Sequence, residues 1–104
     1  MVIPVSDDRL GRNRTTRAAA IQQIEDAVSR AFRRGRAVYV TLEDAAAAER
    51  IFLRQCVQSA VLAGAARVHL AAAPATPAAA IAEMMQDIVY FTEGTVKVAS
   101  VKAN

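Results

Sequence analysis

The sequence is poor in the residues from which catalytic and metal sites are usually built. Its 104 residues include one histidine, one cysteine and no tryptophan. His69 lies in a predicted strand and Cys56 on the apolar face of a predicted helix, without the clustered spacing of zinc ligands. We therefore expect no metal, no cofactor and no catalysis, with Cys56 as a buried structural thiol.

Glycine-rich motifs and long apolar runs are also missing. The four glycines are isolated, so the chain has no loop of the kind that cradles phosphate. No apolar run approaches about 18 residues without charges, which excludes a membrane span. A secretory signal is not expected, because Asp7 and Asp8 follow a very short apolar start. With one cysteine that cannot pair within the chain, we expect a soluble intracellular protein.

The apolar content is high but consists largely of alanine. Hydrophobic residues make up 54% of the chain, whereas aromatic residues make up 5%. This composition predicts a thin core, in which the longer side chains provide most of the burial. These side chains are Ile24, Phe32, Ile51, Phe52, Leu53, Ile81, Met84 and Ile88. A thin core favours self-association, because an interface adds buried apolar area, so we expect a homo-oligomer or a protein partner.

The clearest local pattern runs from Thr41 to Ala73. Thr41 and Asp44 have the spacing of a capping box, and apolar residues then recur at helical spacing, which predicts a helix of about twenty residues. Gly64 is predicted to end this helix, because glycine readily adopts the left-handed backbone conformation found at helix ends. The residues after it alternate as in a strand, so the connection from helix to strand is tight.

The same succession of helix and strand is found on both sides of this stretch. The further predicted elements are an edge strand at 1–5, a helix from Thr15 or Thr16 to Arg34, a strand at 37–42, a helix from Thr76–Pro77 to Gly94, and a strand at 95–102. The order (β)αβαβαβ predicts an α/β domain, with α+β as the alternative. We expect two or three layers and a mixed sheet with helices packed on it. Residues 1–15 are predicted to be a flexible basic arm, and residues 16–104 a single α/β domain.

The segment from Val38 to Val101 resembles the Alba-type nucleic-acid-binding fold in the order and spacing of its elements. The likeness lies in the runs VYVTL, RVHLAAA and TVKVASV, and it implies a nucleic-acid-binding domain. The family's small, basic, glycine-containing stretch falls at Ala71–Ala75, where this chain reads AAAPA. The family's binding loop therefore does not carry over. The order of RRGRAVYV, a helix and ARVHLAA is also similar to the kink-turn-binding ribosomal proteins, without their glycine-rich signature.

Positive charge is concentrated in the first third of the chain. Residues 1–36 contain eight arginines and four acids, whereas residues 37–104 contain five basic and six acidic residues. Guanidinium groups suit phosphate because they offer forked donors and keep their charge. The sequence therefore predicts a small module that binds RNA or DNA, or a ribonucleoprotein subunit, mainly through phosphate contacts. The predicted contact residues are Arg9, Arg12, Arg14, Arg17, Arg30, Arg33, Arg34 and Arg36.

Two alternatives remain open from the sequence. The arginines can simply reflect an alanine- and arginine-rich composition, together with the preference of cations for the carboxyl end of a helix. The alternative function is a homo-oligomeric scaffold or adaptor without catalysis, acting through alanine-rich helix faces. That function predicts an exposed apolar face at Ile51 or on the helix that carries Ile81 and Ile88.

Overall fold

The computed structural model describes the backbone of residues 1–12, 16–92 and 97–102, and the side chains of residues 1–7, 10, 11 and 16–89. Strands and helices alternate along it. They are β1 (Val2–Pro4), α1 (Asp7–Arg12), α2 (Arg17–Arg33), β2 (Tyr39–Glu43), a 3-10 turn (Ala45–Ala47), α3 (Arg50–Ala63), β3 (Arg67–Ala72), α4 (Ala78–Thr92) and β4 (Lys97–Lys102). The predicted α/β class is confirmed.

The four strands form one sheet in the order β1-β2-β3-β4, and every neighbouring pair is parallel. The predicted mixed sheet is therefore wrong, because each connection contains a helix that returns the chain to the end of the sheet where it started. Such crossovers are right-handed in nearly all proteins. With strands added in one direction, that handedness places the helices on one face of the sheet.

The core lies between this face and the helices, so the domain has two layers. Val40 and Leu42 of β2 and Val68 and Leu70 of β3 are fully buried in it. The helices contribute apolar residues to the same cluster, among them Ile24, Val28, Phe52, Leu53, Met84 and Ile88. The intervening strand residues point to the opposite, open face. There Tyr39 is 54% exposed, and Thr41 and His69 are half-buried.

The first residues belong to the domain rather than to a separate arm. β1 forms the edge of the sheet, as the sequence predicted, with Ile3 in register with Leu42. Ile3, Val5 and Leu10 are buried in the core cluster. Residues 7–12 form α1 where a flexible segment was predicted. A short apolar stretch at residues 1–5 is enough for an edge strand once β2 offers it free hydrogen-bonding groups.

The start of α3 differs from the prediction. Thr41 is not a helix cap, because it lies within β2 and is paired with Val2 on one side and His69 on the other. Asp44 has a left-handed backbone (φ 60°) and makes no capping hydrogen bond. The helix begins only at Arg50. Strand pairing on both sides of β2 therefore outweighs the local capping pattern.

Other helix boundaries follow the sequence signals. The Thr16 hydroxyl accepts a hydrogen bond from the Ala19 N–H at 3.1 Å and caps α2. α3 ends at Gly64, which has φ 115°. α4 begins directly after Pro77. The predicted stop at Gly94 lies outside the described residues.

Two long apolar side chains predicted for the core are exposed instead. Phe32 is 60% exposed and Ile51 is 62% exposed. Phe32 lies in the last turn of α2, and Ile51 lies in the first turn of α3. Helical spacing alone predicts the side of the helix on which a residue lies, but not whether the helix end extends beyond its neighbours.

Candidate nucleic-acid interface

Arginines are gathered at the carboxyl end of α2, which a well-defined turn holds in place. The Gly35 N–H donates to the Phe32 carbonyl at 3.0 Å, and the Arg36 N–H donates to the Ala31 carbonyl at 3.2 Å. Gly35 has φ 72°. These are the paired hydrogen bonds of a Schellman motif, with Gly35 at its left-handed position. The turn fixes the backbone that carries the basic side chains.

The side chains of this end are solvent-exposed: they are Arg30, Arg33, Arg34 and Arg36. The first three share one helix face because they are spaced by three and four residues. Among the described residues none of the four forms an ion pair. Asp26, four residues before Arg30, accepts a hydrogen bond from Gln22 at 2.9 Å. We name this group the α2 arginine cluster.

A further cation lies at the same end of the sheet. The α2 arginine cluster precedes β2 by a few residues, so it lies at the amino ends of the parallel strands. Tyr39, the first residue of β2, is in register with Arg67 of β3. The Arg67 guanidinium carbon lies 5.8 Å from the centroid of the Tyr39 ring, within cation–π range. Arg67 was not among the predicted contact residues, and only its pairing with Tyr39 brings it to this end.

Arg17 does not join the α2 arginine cluster. It opens α2 and is separated from Arg30 by thirteen residues, which corresponds to about 20 Å of helix. Its guanidinium donates to both carboxylate oxygens of Asp7, at 2.9 and 2.6 Å, and to Glu49 at 2.8 Å. The guanidinium carbon of Arg17 also lies 5.2 Å from the centroid of the Phe52 ring. The hydrogen bonds that Arg17 donates to Asp7 raise the pKa of Arg17, and the same bonds lower the pKa of Asp7.

Arg17 is thus bound to carboxylates of its own chain and lies away from the α2 arginine cluster. Three further predicted contacts, Arg14 and the side chains of Arg9 and Arg12, lie outside the described residues. Of the five predicted arginines whose side chains are described, the structure brings together four.

A second polar group lies at the opposite, carboxyl ends of the strands. Ser6 follows β1 and is 2% exposed. Its hydroxyl donates to Asp44, which follows β2, at 2.9 Å. Together with the Arg17 ion pairs, this contact ties β1 and α2 to the turn before α3. Polar residues directly after parallel strands were the sequence signal that could have predicted this group, since such ends meet at one edge.

A third ion pair joins α3 to α4. Arg54 donates to Asp87 through Nε at 3.1 Å and through Nη2 in a second hydrogen bond. These bonds, with the charges of Arg54 and Arg50, lower the pKa of Asp87. Arg50, Glu83, Gln86 and Asp87 line the open cleft beside the pair. Because the cleft mixes both signs of charge, it offers no continuous surface to a polyanion.

Cys56 and His69 lie away from both ends of the sheet. Cys56 is fully buried, and burial raises the pKa of its thiol to about 12. His69 lies in the middle of β3, half-buried on the open face. Within the described parts of the chain, no group of three or more histidine, cysteine or acidic residues could hold a metal ion.

Comparison with protein-family models and with curated proteins gives no match. The likeness of element order to the Alba-type fold stays a prediction. Among the residues that the structure describes, no helix is long and apolar enough to cross a membrane.

Proposed function

We propose that this domain binds RNA or DNA through the sugar–phosphate backbone, with the α2 arginine cluster as its main contact. The observation that carries the proposal is that four exposed guanidiniums, unpaired with any described acid, share one end of a rigid helix. A fixed group of forked donors suits a row of phosphates. Arg67 at the neighbouring strand end extends the positive charge along the rim of the sheet.

Charge distribution supports this location over the rest of the surface. Each of the described ion pairs joins an arginine outside the α2 arginine cluster to a nearby carboxylate: Arg17 with Asp7 and Glu49, and Arg54 with Asp87. An arginine already bound to a carboxylate has fewer donors left for phosphate. Among the side chains that the structure describes, the largest group of arginines without an ion pair therefore lies at the end of α2.

The test is binding of fluorescently labelled RNA at several salt concentrations, measured by anisotropy. We expect affinity to fall steeply with salt, with a slope of about 0.7 to 0.9 per neutralised phosphate on logarithmic axes. Neutralising the four arginines to glutamine should remove most of the affinity and most of that slope. Affinity that is absent at low salt, or that does not depend on salt, would contradict the proposal.

A matched pair of variants separates position from net charge. Arg33→Gln with Arg34→Gln and Gln55→Glu with Gln58→Glu each lower the net charge by about two units. Gln55 and Gln58 lie on the exposed face of α3, away from the α2 arginine cluster. Only the arginine variant should weaken binding strongly. Equal losses would show that overall charge, rather than this cluster, determines affinity.

The second candidate function, a homo-oligomeric scaffold that uses helix faces, has a weaker basis. Ile51 and Leu62 are 62% and 79% exposed. They lie on one side of α3, but Gln55 and Gln58 lie between them on the same exposed face. The apolar surface is thus interrupted, whereas docking helices usually present a continuous apolar stripe. Light scattering of Ile51→Asp with Leu62→Asp tests this candidate: a loss of oligomers would support it.

A further inference from the structure

One face of the sheet is not covered by the helices that pack on the core. Parallel sheets occur almost entirely with both faces covered. Here the helices cover one face, while on the other Val2 is 58% and Tyr39 54% exposed. Thr41 and His69, at the centre of this face, are half-buried.

The charges on this face differ between its two ends. Arg67 lies in the row of residues at the amino ends of the strands, in register with Tyr39. Glu43 lies in the row at the carboxyl ends, in register with Ala71. The row between them holds Val2, Thr41 and His69, without an arginine, a lysine or an acidic residue. A positive end, a middle of this composition and a negative end form a pattern that complements its own reversed copy.

We propose that a second copy of this chain covers the open face, with its strands running in the opposite direction. A two-fold axis across the strands would stack β2 on β2 and β3 on β3, and each amino-end row would meet the carboxyl-end row of the other copy. Arg67 would then lie about one strand spacing, roughly 4.8 Å, sideways from Glu43 of the second copy. The two-fold symmetry produces this contact twice.

The alternative two-fold arrangement, with strands parallel, is disfavoured by charge. It would stack the amino-end rows on each other and bring the two Arg67 side chains to the same end of the interface. Like charges placed together in an interface weaken association. The antiparallel arrangement does not require Glu43 to lack contacts within its own chain, because a carboxylate has roughly four acceptor positions.

The size of the face sets the strength of the dimer. Four strands about 4.8 Å apart and about 3.3 Å per residue give a face of roughly 20 by 17 Å. The two copies together would bury roughly 700 Å², which is below the range of stable specific interfaces and within that of weak, transient ones. We therefore expect a reversible dimer that forms between micromolar and millimolar concentration, through a surface separate from the α2 arginine cluster.

Two charge-reversal variants test the arrangement. Arg67→Glu and Glu43→Arg each replace the two opposite-charge contacts with like-charge contacts, so each variant alone should dimerise about tenfold more weakly or worse. An equimolar mixture of the two restores both opposite-charge contacts and should form heterodimers as readily as the unmodified protein dimerises. Sedimentation velocity over a concentration series measures all three samples, with one variant labelled to identify the heterodimer.

Controls keep the test decisive. Leu62→Glu places a charge on α3, away from the sheet face, and should leave dimerisation unchanged. Thr41→Arg, in the central row, should abolish it, and circular dichroism checks that each variant is folded. A wild-type chain that stays monomeric at millimolar concentration would overturn the proposal. So would charge-reversed variants that do not recover on mixing, or a dimer that Leu62→Glu dissociates. If the wild-type chain stays monomeric while Arg67→Glu weakens RNA binding, the sheet face binds nucleic acid instead, and the proposal is overturned.

Discussion

The Phe32 ring of α2 lies directly against the backbone of Gly64 at the end of α3. A Cβ at Gly64 would lie 2.6 Å from Phe32 Cδ2 and 2.7 Å from Phe32 Cγ, closer than side chains approach. Gly64 also has φ 115°, which L-residues with a side chain rarely adopt. The absence of a side chain at Gly64 therefore serves both the turn into β3 and the approach of α2 to α3.

Gly64→Ala should consequently cost more than a glycine replacement at the end of α2. We expect about 2–4 kcal/mol, from backbone strain and overpacking together. Gly35→Ala is the matched control, because Gly35 has φ 72° but nothing within 4 Å of its Cβ position; about 1 kcal/mol is expected there. Urea unfolding at neutral pH measures both. Adding Phe32→Ala to Gly64→Ala should recover the packing part, and equal losses at Gly64 and Gly35 would contradict the close approach.

The ion pair between Arg54 and Asp87 predicts how stability depends on pH. Because the Arg54 hydrogen bonds lower the pKa of Asp87, the folded protein binds fewer protons than the unfolded chain near the ordinary aspartate pKa. This contribution is fully present above pH ~4 and is lost as the pH falls through the lower folded pKa. We expect Asp87→Asn to be less stable than wild type at pH 7 and to show a shallower loss between pH 5 and pH 2, roughly the range of carboxylate titration.

Arg54→Gln provides the matching variant for the same ion pair. It removes the donor and should flatten the pH dependence of unfolding as Asp87→Asn does. The double variant should resemble either single variant if the two residues act on stability mainly through each other. Parallel curves for wild type and Asp87→Asn across the acid range would show that the ion pair contributes nothing to the pH dependence.

Much of the fold could be predicted from local sequence, because capping residues and glycines mark where several helices begin and end. Thr16 and Gly64 act at the chain positions that the sequence signals indicate, and β1 lies within the edge strand predicted at 1–5. The start of α3 could not be predicted in this way. The helix signal at Thr41 and Asp44 competes with strand pairing to β1 and β3, and only the assembled sheet determines which of them prevails.

The candidate site could be predicted only where its members are close in sequence. Arg30, Arg33, Arg34 and Arg36 fall within seven positions of the chain, so helix geometry alone brings them together. Arg17 belongs to the same helix, but its carboxylate partners come from residues 10 and 32 positions away. Arg67 joins the end of α2 only through the register of β2 and β3. Contacts between distant parts of the chain were not predictable from composition or spacing.

The free thiol of Cys56 should be unreactive in the folded protein. Burial raises its pKa to about 12, so almost no thiolate is present at neutral pH, and a reagent reaches it only when the core opens. Modification by a thiol-reactive disulfide should be slow in buffer and fast in urea. Cys56→Ala should fold with a modest loss of stability. Cys56→Ser should lower the free energy of unfolding by about 1–3 kcal/mol, because its hydroxyl would be buried without a hydrogen-bond partner. Rapid modification without denaturant would show that Cys56 is accessible.

The contacts of Arg17 predict that replacing it lowers the stability of the domain without weakening RNA binding. Its side chain bridges Asp7 of α1 and Glu49 before α3. Arg17→Gln should therefore lower the urea midpoint of unfolding while leaving RNA affinity close to that of wild type. Arg34→Gln, in the α2 arginine cluster, should do the opposite: it should weaken RNA binding and leave the midpoint nearly unchanged. If both variants weaken RNA binding equally, Arg17 belongs to the interface despite its carboxylate partners.

The first strand gives the sharpest test of whether residues 1–12 belong to the domain. Neighbouring residues of β1 point to opposite faces, so Ile3 is 2% exposed whereas Val2 is 58% exposed. Ile3→Ala removes buried methylene and methyl groups and should cost about 2–5 kcal/mol. Val2→Ala changes the open face and should stay within about 0.5 kcal/mol. Both are measured by urea unfolding at a concentration low enough to keep the chain monomeric. A flexible arm would make the two variants equally harmless, whereas a strand that belongs to the core separates them by a substantial fraction of the stability of a small domain.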